Sequence, residues 1–194
     1  HELEKRHLFE QLPLEKRVGR AMYQLVAEIA RGICFSDRNQ FAIWVLDECH
    51  HVTRQEEGSE VIADFVRDGR KHNAAVFLGS HDPEEDFGNE TLRGLIPIRI
   101  VLRHRDETLA RRSLKWLGVD PSDPVLLKEL TEDTSPVTGK DNYVEPHRRG
   151  EGYMRDASRN IGRIKILAPS EPARFAAVMT TPQGSSGTDQ ASDS

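Results

Sequence analysis

This sequence lacks the features that mark several common protein classes. Its two cysteines, Cys34 and Cys49, are too few for a disulfide framework, which indicates a reducing compartment. The formal net charge of −5 excludes a general attraction to nucleic acid or anionic lipid, so any such contact would need a local basic patch. No apolar run approaches the length of a membrane span, and the opening residues have no signal-peptide pattern. The 194 residues therefore favour one domain with a single substantial core.

A complete phosphate-binding loop is also missing from the sequence. Such a loop has the pattern G-x-x-x-x-G-K-[ST], in which backbone N–H groups and the lysine hold nucleotide phosphates. The nearest candidate contains Gly139 and Lys140, but Asp141 replaces the Ser or Thr and Thr134 replaces the first Gly. The chain also opens within a charged helical pattern and without Met. We therefore expect a fragment of a larger protein, with any phosphate-binding loop upstream.

The most informative segment that is present is Phe41 to His51, FAIWVLDECHH. Its continuous apolar run predicts a strand buried on both faces of a parallel sheet. Asp47 and Glu48 follow the run, at the edge where open α/β sheets place their ligands. In nucleotide hydrolases such a pair is the Walker B element, in which the first acid holds Mg²⁺ and the second activates water. The alternative is that a buried strand meets acidic residues simply where it reaches solvent.

A second apolar segment, Ala74–Gly79, leads into a polar tip formed by Ser80, His81 and Asp82. The helical pattern between the two apolar segments predicts a βαβ unit with parallel neighbouring strands. The tip would then lie beside the acid pair, where it could sense the γ-phosphate or hold the attacking water. An ordinary turn after a strand is the alternative.

Histidines and basic residues near these segments have less specific patterns. His50 and His51 follow the acid pair, but adjacent residues at a strand end point in opposite directions, which predicts two solvated histidines. Arg67, Arg70 and Lys71 lie at the end of the connecting helix, either as an ordinary basic helix end or as an arginine finger. The basic cluster Arg103, His104 and Arg105 is equally consistent with residues that line a site or a pore and with a solvated turn.

The remaining elements follow from hydrophobic spacing and capping residues. The predicted elements are helices at Pro13–Gly32, about 59–72, Asp106–Gly118 and Val125–Leu130, and strands at Ile98–Leu102, Gly152–Arg155, Ile161–Leu167 and Phe175–Met179. Residues 131–150 are predicted to be irregular. The domain organisation is one domain over residues 1–182 and a disordered tail over residues 183–194.

Together these features resemble the C-terminal half of the ATPase domain in the VirB-four/TraC-type ATPases of conjugation and type IV secretion. The resemblance runs from about Leu14 to Pro182 through WVLDECHH, SEVIADFVRDGRKHNAAVFLGSHDPEEDFG, IRIVLRHRDETLARRSLKWLGV and GEGYMRD. It implies an α/β, RecA-like P-loop NTPase fold with a mainly parallel sheet flanked by helices, here its incomplete C-terminal portion. It also implies the cofactors ATP and Mg²⁺, a hexamer, other secretion-system components, and a DNA or protein substrate. The implied location is cytoplasmic, peripheral at the inner membrane face through partners.

The resemblance assigns roles to the acid pair and the arginines. Asp47 would be the acid that binds Mg²⁺ and nucleotide, and Glu48 would be the catalytic base. Arg70, with Arg67 as second choice, would act on the nucleotide of a neighbouring subunit.

The resemblance also makes Ser80, His81 and Asp82 the sensor tip, with Ser80 and Asp82 contacting the nucleotide. Relatives usually carry Gln in this tip, and His81 takes that place here. A histidine would make the tip sensitive to pH in a way that an amide is not.

Other interpretations stay open. The letters DECH also fit a DExH helicase, but only about half the chain needed for its second RecA-like domain follows residue 102. A HerA/FtsK-type DNA-translocating ATPase would share the same core, and its hexameric pore would need only a local basic ring. A catalytically inactive scaffold of this fold would have no need for both acids.

Overall fold

The computed structural model describes residues 13–54, 56–87, 89–138 and 143–174. In chain order its elements are α1 (Leu14–Cys34), β1 (Ala42–Leu46), α2 (His50–Thr53), α3 (Glu56–Gly69), β2 (Ala74–Leu78), α4 (Glu90–Leu95), β3 (Arg99–Leu102), α5 (Glu107–Leu117), α6 (Pro124–Lys128), β4 (Val137–Thr138), β5 (Tyr143–Val144), β6 (Glu151–Arg155) and β7 (Ile161–Lys165). Short 3₁₀ or π turns lie at Arg70–His72, Glu129–Asp133 and Pro146–Arg148. The predicted strand Phe175–Met179, the predicted tail 183–194 and the segment around Lys140 lie outside the described residues.

The predicted βαβ unit is confirmed. β1 and β2 pair in parallel, with Ala42 opposite Ala74 and Leu46 opposite Leu78. Between them α3 buries Ile62 and Phe65, the face that the helical spacing predicts. A 3₁₀ turn follows α3 and ends at Asn73, whose φ of +54° reverses the chain into β2. The carboxyl ends of both strands therefore meet at one edge.

One face of this parallel pair is exposed, so the prediction of a strand buried on both faces is wrong for the described chain. Trp44 and Leu46 pack against the core formed with α2 and α3. The alternate residues Ile43 and Val45 point the other way, and they are 54% and 62% exposed. Side chains alternate along a strand, and the connecting helices pack on one face only, so the second face stays uncovered.

The first predicted helix is confirmed, although it continues two residues past the predicted end at Gly32. α1 packs on α3, its residues Ala27 and Cys34 are buried, and Arg31 pairs with Asp68 of α3 at 3.3 Å. The apolar stripe that indicated the helix instead faces solvent; its exposed members are Val18, Met22, Leu25, Val26 and Ile29. Across the described ranges, every helix is too short or too polar to cross a bilayer.

The second half of the domain is built on antiparallel pairs, so the expectation of a mainly parallel sheet is wrong for the described strands. β3 pairs with β6, and β6 pairs with β7, both antiparallel. A turn of five residues, 156–160, joins β6 to β7, and so short a connection can form only an antiparallel hairpin. The resulting fold is a mixed α/β domain with a small parallel sheet.

α5 covers this antiparallel sheet and completes a second core. Asp106 caps the helix by accepting a hydrogen bond from Leu109 N–H, and Gly118 ends it at a φ of +88°, as the sequence predicts. The buried members of this core are Val101, Ala110, Leu114, Trp116, Leu117, Leu130 and Tyr153. This second core lies next to the loop that follows β2, because side chains of α5 bind that loop.

Candidate active site

The acid pair lies in the turn directly after β1. Glu48 has a φ of +51°, in the left-handed region that residues other than glycine seldom adopt, and its N–H donates to Asp47 Oδ1 at 3.0 Å. The turn is bound to the end of β2, since Gly79 N–H donates to the Leu46 carbonyl at 2.8 Å. Cys49 N–H in turn donates to the Gly79 carbonyl at 2.9 Å. The structure therefore brings the acid pair and the polar tip side by side.

Glu48 is held between two histidines from different segments. Its Oε1 lies 2.9 Å from His81 Nε2, and its Oε2 lies 3.2 Å from His50 Nδ1. The Glu48 side chain is 41% exposed, and that of His81 is 84% exposed. A partly exposed carboxylate with both oxygens oriented by imidazoles can accept a proton from a nearby water. Of the three tip residues, His81 is the one that faces the acid pair.

The prediction of two solvated histidines is wrong for His50. Both residues open the short helix α2 rather than ending a strand, so their side chains do not alternate. Their rings contact each other at 4.0 Å between centroids. His50 is half-buried against Glu48, whereas His51 is exposed and stacks toward Tyr23 of α1.

Ser80 and Asp82 have partners within the loop that carries them. Ser80 Oγ donates to Asp86, and Asp82 N–H donates to Asp86 Oδ2 at 3.2 Å. The Asp82 carboxylate forms an ion pair with Arg112 of α5. Both side chains are thus bound to partners other than the acid pair.

Asp86 is a buried residue behind the acid pair that sequence reasoning missed. Its side chain is 5% exposed, and Arg54, the residue directly after α2, donates to its Oδ1 from Nη2 at 2.8 Å. Burial alone would raise the pKa of Asp86, but the hydrogen bonds that its oxygens accept outweigh burial and hold the pKa below its usual value. The signal in the sequence is the acidic loop DPEED, which does not reveal which of its acids is buried.

Two cations on α5 bind the outer acids of the same loop. Arg112 lies 3.1 Å from Glu85 and 3.6 Å from Glu84, and Lys115 also pairs with Glu84. The hydrogen bond from Lys115 holds the pKa of Glu84 below its usual value. The second core therefore contacts the loop beside the acid pair.

In the basic cluster at 103–105, two residues contact other parts of the fold and the third is exposed to solvent. Arg103 Nε donates to the Thr131 carbonyl at 2.9 Å, which stabilises the turn after α6. His104 Nε2 lies 2.9 Å from Ser113 Oγ, and burial, followed by the nearby His81, lowers the pKa of His104. Arg105 is exposed. Only Arg105 is thus free of the packing around α5 and α6.

Arg67 and Arg70 lie far from the acid pair of their own chain. Arg67 pairs with Asp64 on the surface of α3 at 2.8 Å. Arg70 is exposed in the turn that precedes β2, at the amino end of the strands. Five residues at about 3.3 Å each place the acid pair about 16 Å away, at the opposite end. Within one chain the structure does not bring these arginines to the acids.

The acid pair can supply the protein ligands of a magnesium site. Asp47 is exposed, and its carboxylate offers the hard oxygen ligand that Mg²⁺ prefers, with one oxygen oriented by the Glu48 N–H. Magnesium typically takes one or two carboxylates and completes its shell with phosphate oxygens and water. Cys49 is a poor ligand, because burial raises the pKa of its thiol to about 11.

An acid pair directly after a parallel strand, at the carboxyl edge of the sheet, is the arrangement of the Walker B element in nucleotide hydrolases. The sequence model of the AAA-like domain family matches residues 3–177, so the chain belongs to this family of P-loop ATPases. The family implies the use of a nucleotide and, typically, of Mg²⁺. A comparison with individual curated proteins gave no match.

Proposed function

We propose that this chain is the Walker B and sensor half of a RecA-like, Mg-ATP-hydrolysing motor of a type IV secretion or conjugation system. The observation that carries the proposal is Glu48, fixed in a left-handed turn beside Asp47 and oriented by His81 from the loop after β2. Membership of the AAA-like domain family supports the ATPase activity. The assignment to secretion rests on the sequence resemblance.

In this proposal each acid has a separate task. Asp47 would hold the magnesium ion, which when bound neutralises charge on the phosphates. Glu48 would accept a proton from the attacking water, because its carboxylate is partly exposed to solvent and both of its oxygens are oriented by imidazoles. Ser80 and Asp82 would support the tip through their bonds to Asp86 and Arg112.

The proposed assembly is a hexamer in which a site lies between two subunits. Arg70, or Arg67 as second choice, would reach the neighbouring subunit's nucleotide, since neither reaches the acids of its own chain. The exposed apolar residues of β1 and α1 supply surface for packing against further elements or subunits. We propose partners within the secretion machine, a DNA or protein substrate, and a cytoplasmic position at the inner membrane face.

The test is Glu48→Gln in the full-length protein. Loss of the base should lower ATP turnover by about 10²-fold or more while the affinity for ATP stays within about twofold. Glu107→Gln removes a carboxylate from an exposed ion pair on α5 and serves as the control with normal turnover. Normal turnover by Glu48→Gln would remove Glu48 from the mechanism.

Nucleotide binding and substrate transfer test the rest of the proposal. Calorimetry should detect ATP binding by a chain extended upstream through a phosphate-binding loop, and weak or no binding by this chain. Tight binding by this chain would mean that the nucleotide site lies elsewhere. Glu48→Gln should also abolish substrate transfer in donor cells, and normal transfer with lost hydrolysis would contradict the secretion role.

A further inference from the structure

The two segments that orient Glu48 are joined to each other through one carboxylate, that of Asp86. His81 belongs to the loop after β2, and His50 belongs to α2. Asp86 is 4% exposed and contacts both segments. Neither of its oxygens contacts Glu48 itself. Asp86 therefore lies behind the site rather than in it.

One oxygen of Asp86 fixes the loop on both sides of His81. Ser80 Oγ and Asp82 N–H both donate to Oδ2. Because the residues before and after His81 are anchored inward on the same atom, the side chain of His81 is turned outward over Glu48. His81 is 84% exposed and has little packing of its own to hold it there.

The other oxygen of Asp86 fixes α2. Arg54 donates to Oδ1 from Nε at 3.2 Å and from Nη2 at 2.8 Å, so both hydrogen bonds converge on one oxygen and are assisted by charge. The backbone of Asp86 adds a second contact, because its carbonyl accepts a hydrogen bond from Thr53 Oγ1. Asp86 thus joins the loop after β2 to α2 and to Arg54 directly after it.

We propose that Asp86 is a positioning residue that holds His81 against the catalytic carboxylate of Glu48. The role in catalysis rests on the proposed function of Glu48 as the base. The positioning itself rests on the hydrogen bonds of Asp86 and can be tested without hydrolysis. Deleting the carboxylate removes the anchor that the two neighbours of His81 share and leaves Asp82 held through its own carboxylate by Arg112. The contact between His50 and Glu48 stays, because α2 follows the acid pair directly in the chain.

The positioning is tested by NMR on this chain with labelled histidines. In the unsubstituted protein, Glu48→Gln should shift the ring resonances of both His81 and His50. In an Asp86→Ala background, the same change should shift the His50 ring alone. Glu107→Gln as background should leave both responses intact. A His81 response that persists in Asp86→Ala overturns the proposal. Loss of both the His81 and the His50 responses in Asp86→Ala also overturns it, because that result would indicate general disorder of the site.

A milder variant keeps the proposal testable where Asp86→Ala does not fold. Ser80→Ala removes the hydroxyl that donates to Oδ2 and accepts from the Asp82 N–H, and it leaves the bonds from Arg54 and from the Asp82 N–H to Asp86 in place. It should weaken the response of His81 to Glu48→Gln and leave that of His50 unchanged. An undiminished His81 response in this variant counts against the proposal.

Kinetics of the full-length protein separate this inference from the proposed function. Asp86→Ala should lower kcat by about ten- to hundredfold, because a misplaced supporting group costs rate, and should leave KM for ATP within about twofold. Unchanged kcat with a lost His81 response would overturn the catalytic part of the inference. Absence of hydrolysis in the unsubstituted protein would contradict the proposed function, while the NMR responses would still decide whether Asp86 positions His81.

Discussion

The Nε2 atom of His81 lies 2.9 Å from Oε1 of Glu48, so a side chain from the loop after β2 directly contacts the acid that follows β1. The same loop is bound by Arg112 and Lys115 of α5, which belongs to the second core. A displacement of α5 would therefore be transmitted to Glu48 through the loop after β2.

The spacing between Gly79 and Asp47 gives a direct test of the metal-binding acid. A Cβ added at Gly79 would lie 2.9 Å from Asp47 Oδ1, while the next atoms are at ordinary distances of 3.6 and 3.7 Å. Gly79→Ala should thus displace the Asp47 carboxylate and leave the backbone in place. In the full-length protein we expect the Mg²⁺ concentration for half-maximal hydrolysis to rise by about tenfold.

The control for this prediction is Gly94→Ala in α4, where an added Cβ meets nothing within 4 Å. Its magnesium dependence should equal that of the unsubstituted protein. Titration of hydrolysis with Mg²⁺ measures both variants. An unchanged midpoint in Gly79→Ala would show that Asp47 does not hold the metal.

The local parts of this fold follow from the sequence because they depend on nearby residues. The apolar run of β1, the helical spacing of α3 and the caps Asp106 and Gly118 act within a few positions of each other. The place of the acid pair also follows, since parallel neighbouring strands end at one edge.

The long-range parts of the site do not follow from spacing. The bonds from Arg54 to Asp86 and from Arg112 to Asp82 join residues about 30 positions apart, and their formation depends on how loops pack. The sequence patterns of Val45 and of α1 indicate burial, yet these surfaces are exposed, because burial requires an element that covers them. An apolar pattern predicts which face of an element could be buried. Whether that face is buried depends on whether another element packs against it.

The left-handed turn at Glu48 predicts an unusual order of stability between glycine and alanine. Both Glu48→Gly and Glu48→Ala remove the contacts to the histidines, but only alanine retains the Cβ that disfavours a φ of +51°. We expect Glu48→Gly to be more stable to unfolding than Glu48→Ala by about 1 kcal/mol, measured by urea denaturation. At Arg111 in α5 the order should reverse, because a helix favours alanine. Equal stabilities at position 48 would contradict the strained turn.

The position of Arg70 at the amino end of the strands predicts that it acts between subunits. Arg70→Ala subunits keep Glu48, and Glu48→Gln subunits keep Arg70, so a mixed ring contains some interfaces with both groups intact. If full-length subunits mix at random in equal amounts, about one quarter of the interfaces should be active, although each variant alone is inactive.

Arg38→Ala, which changes an exposed arginine in the turn before β1, is the matched control and should hydrolyse ATP normally on its own. ATP turnover measured across a series of mixing ratios decides the point: a maximum near equal amounts supports action in trans, and an inactive mixture at every ratio contradicts it.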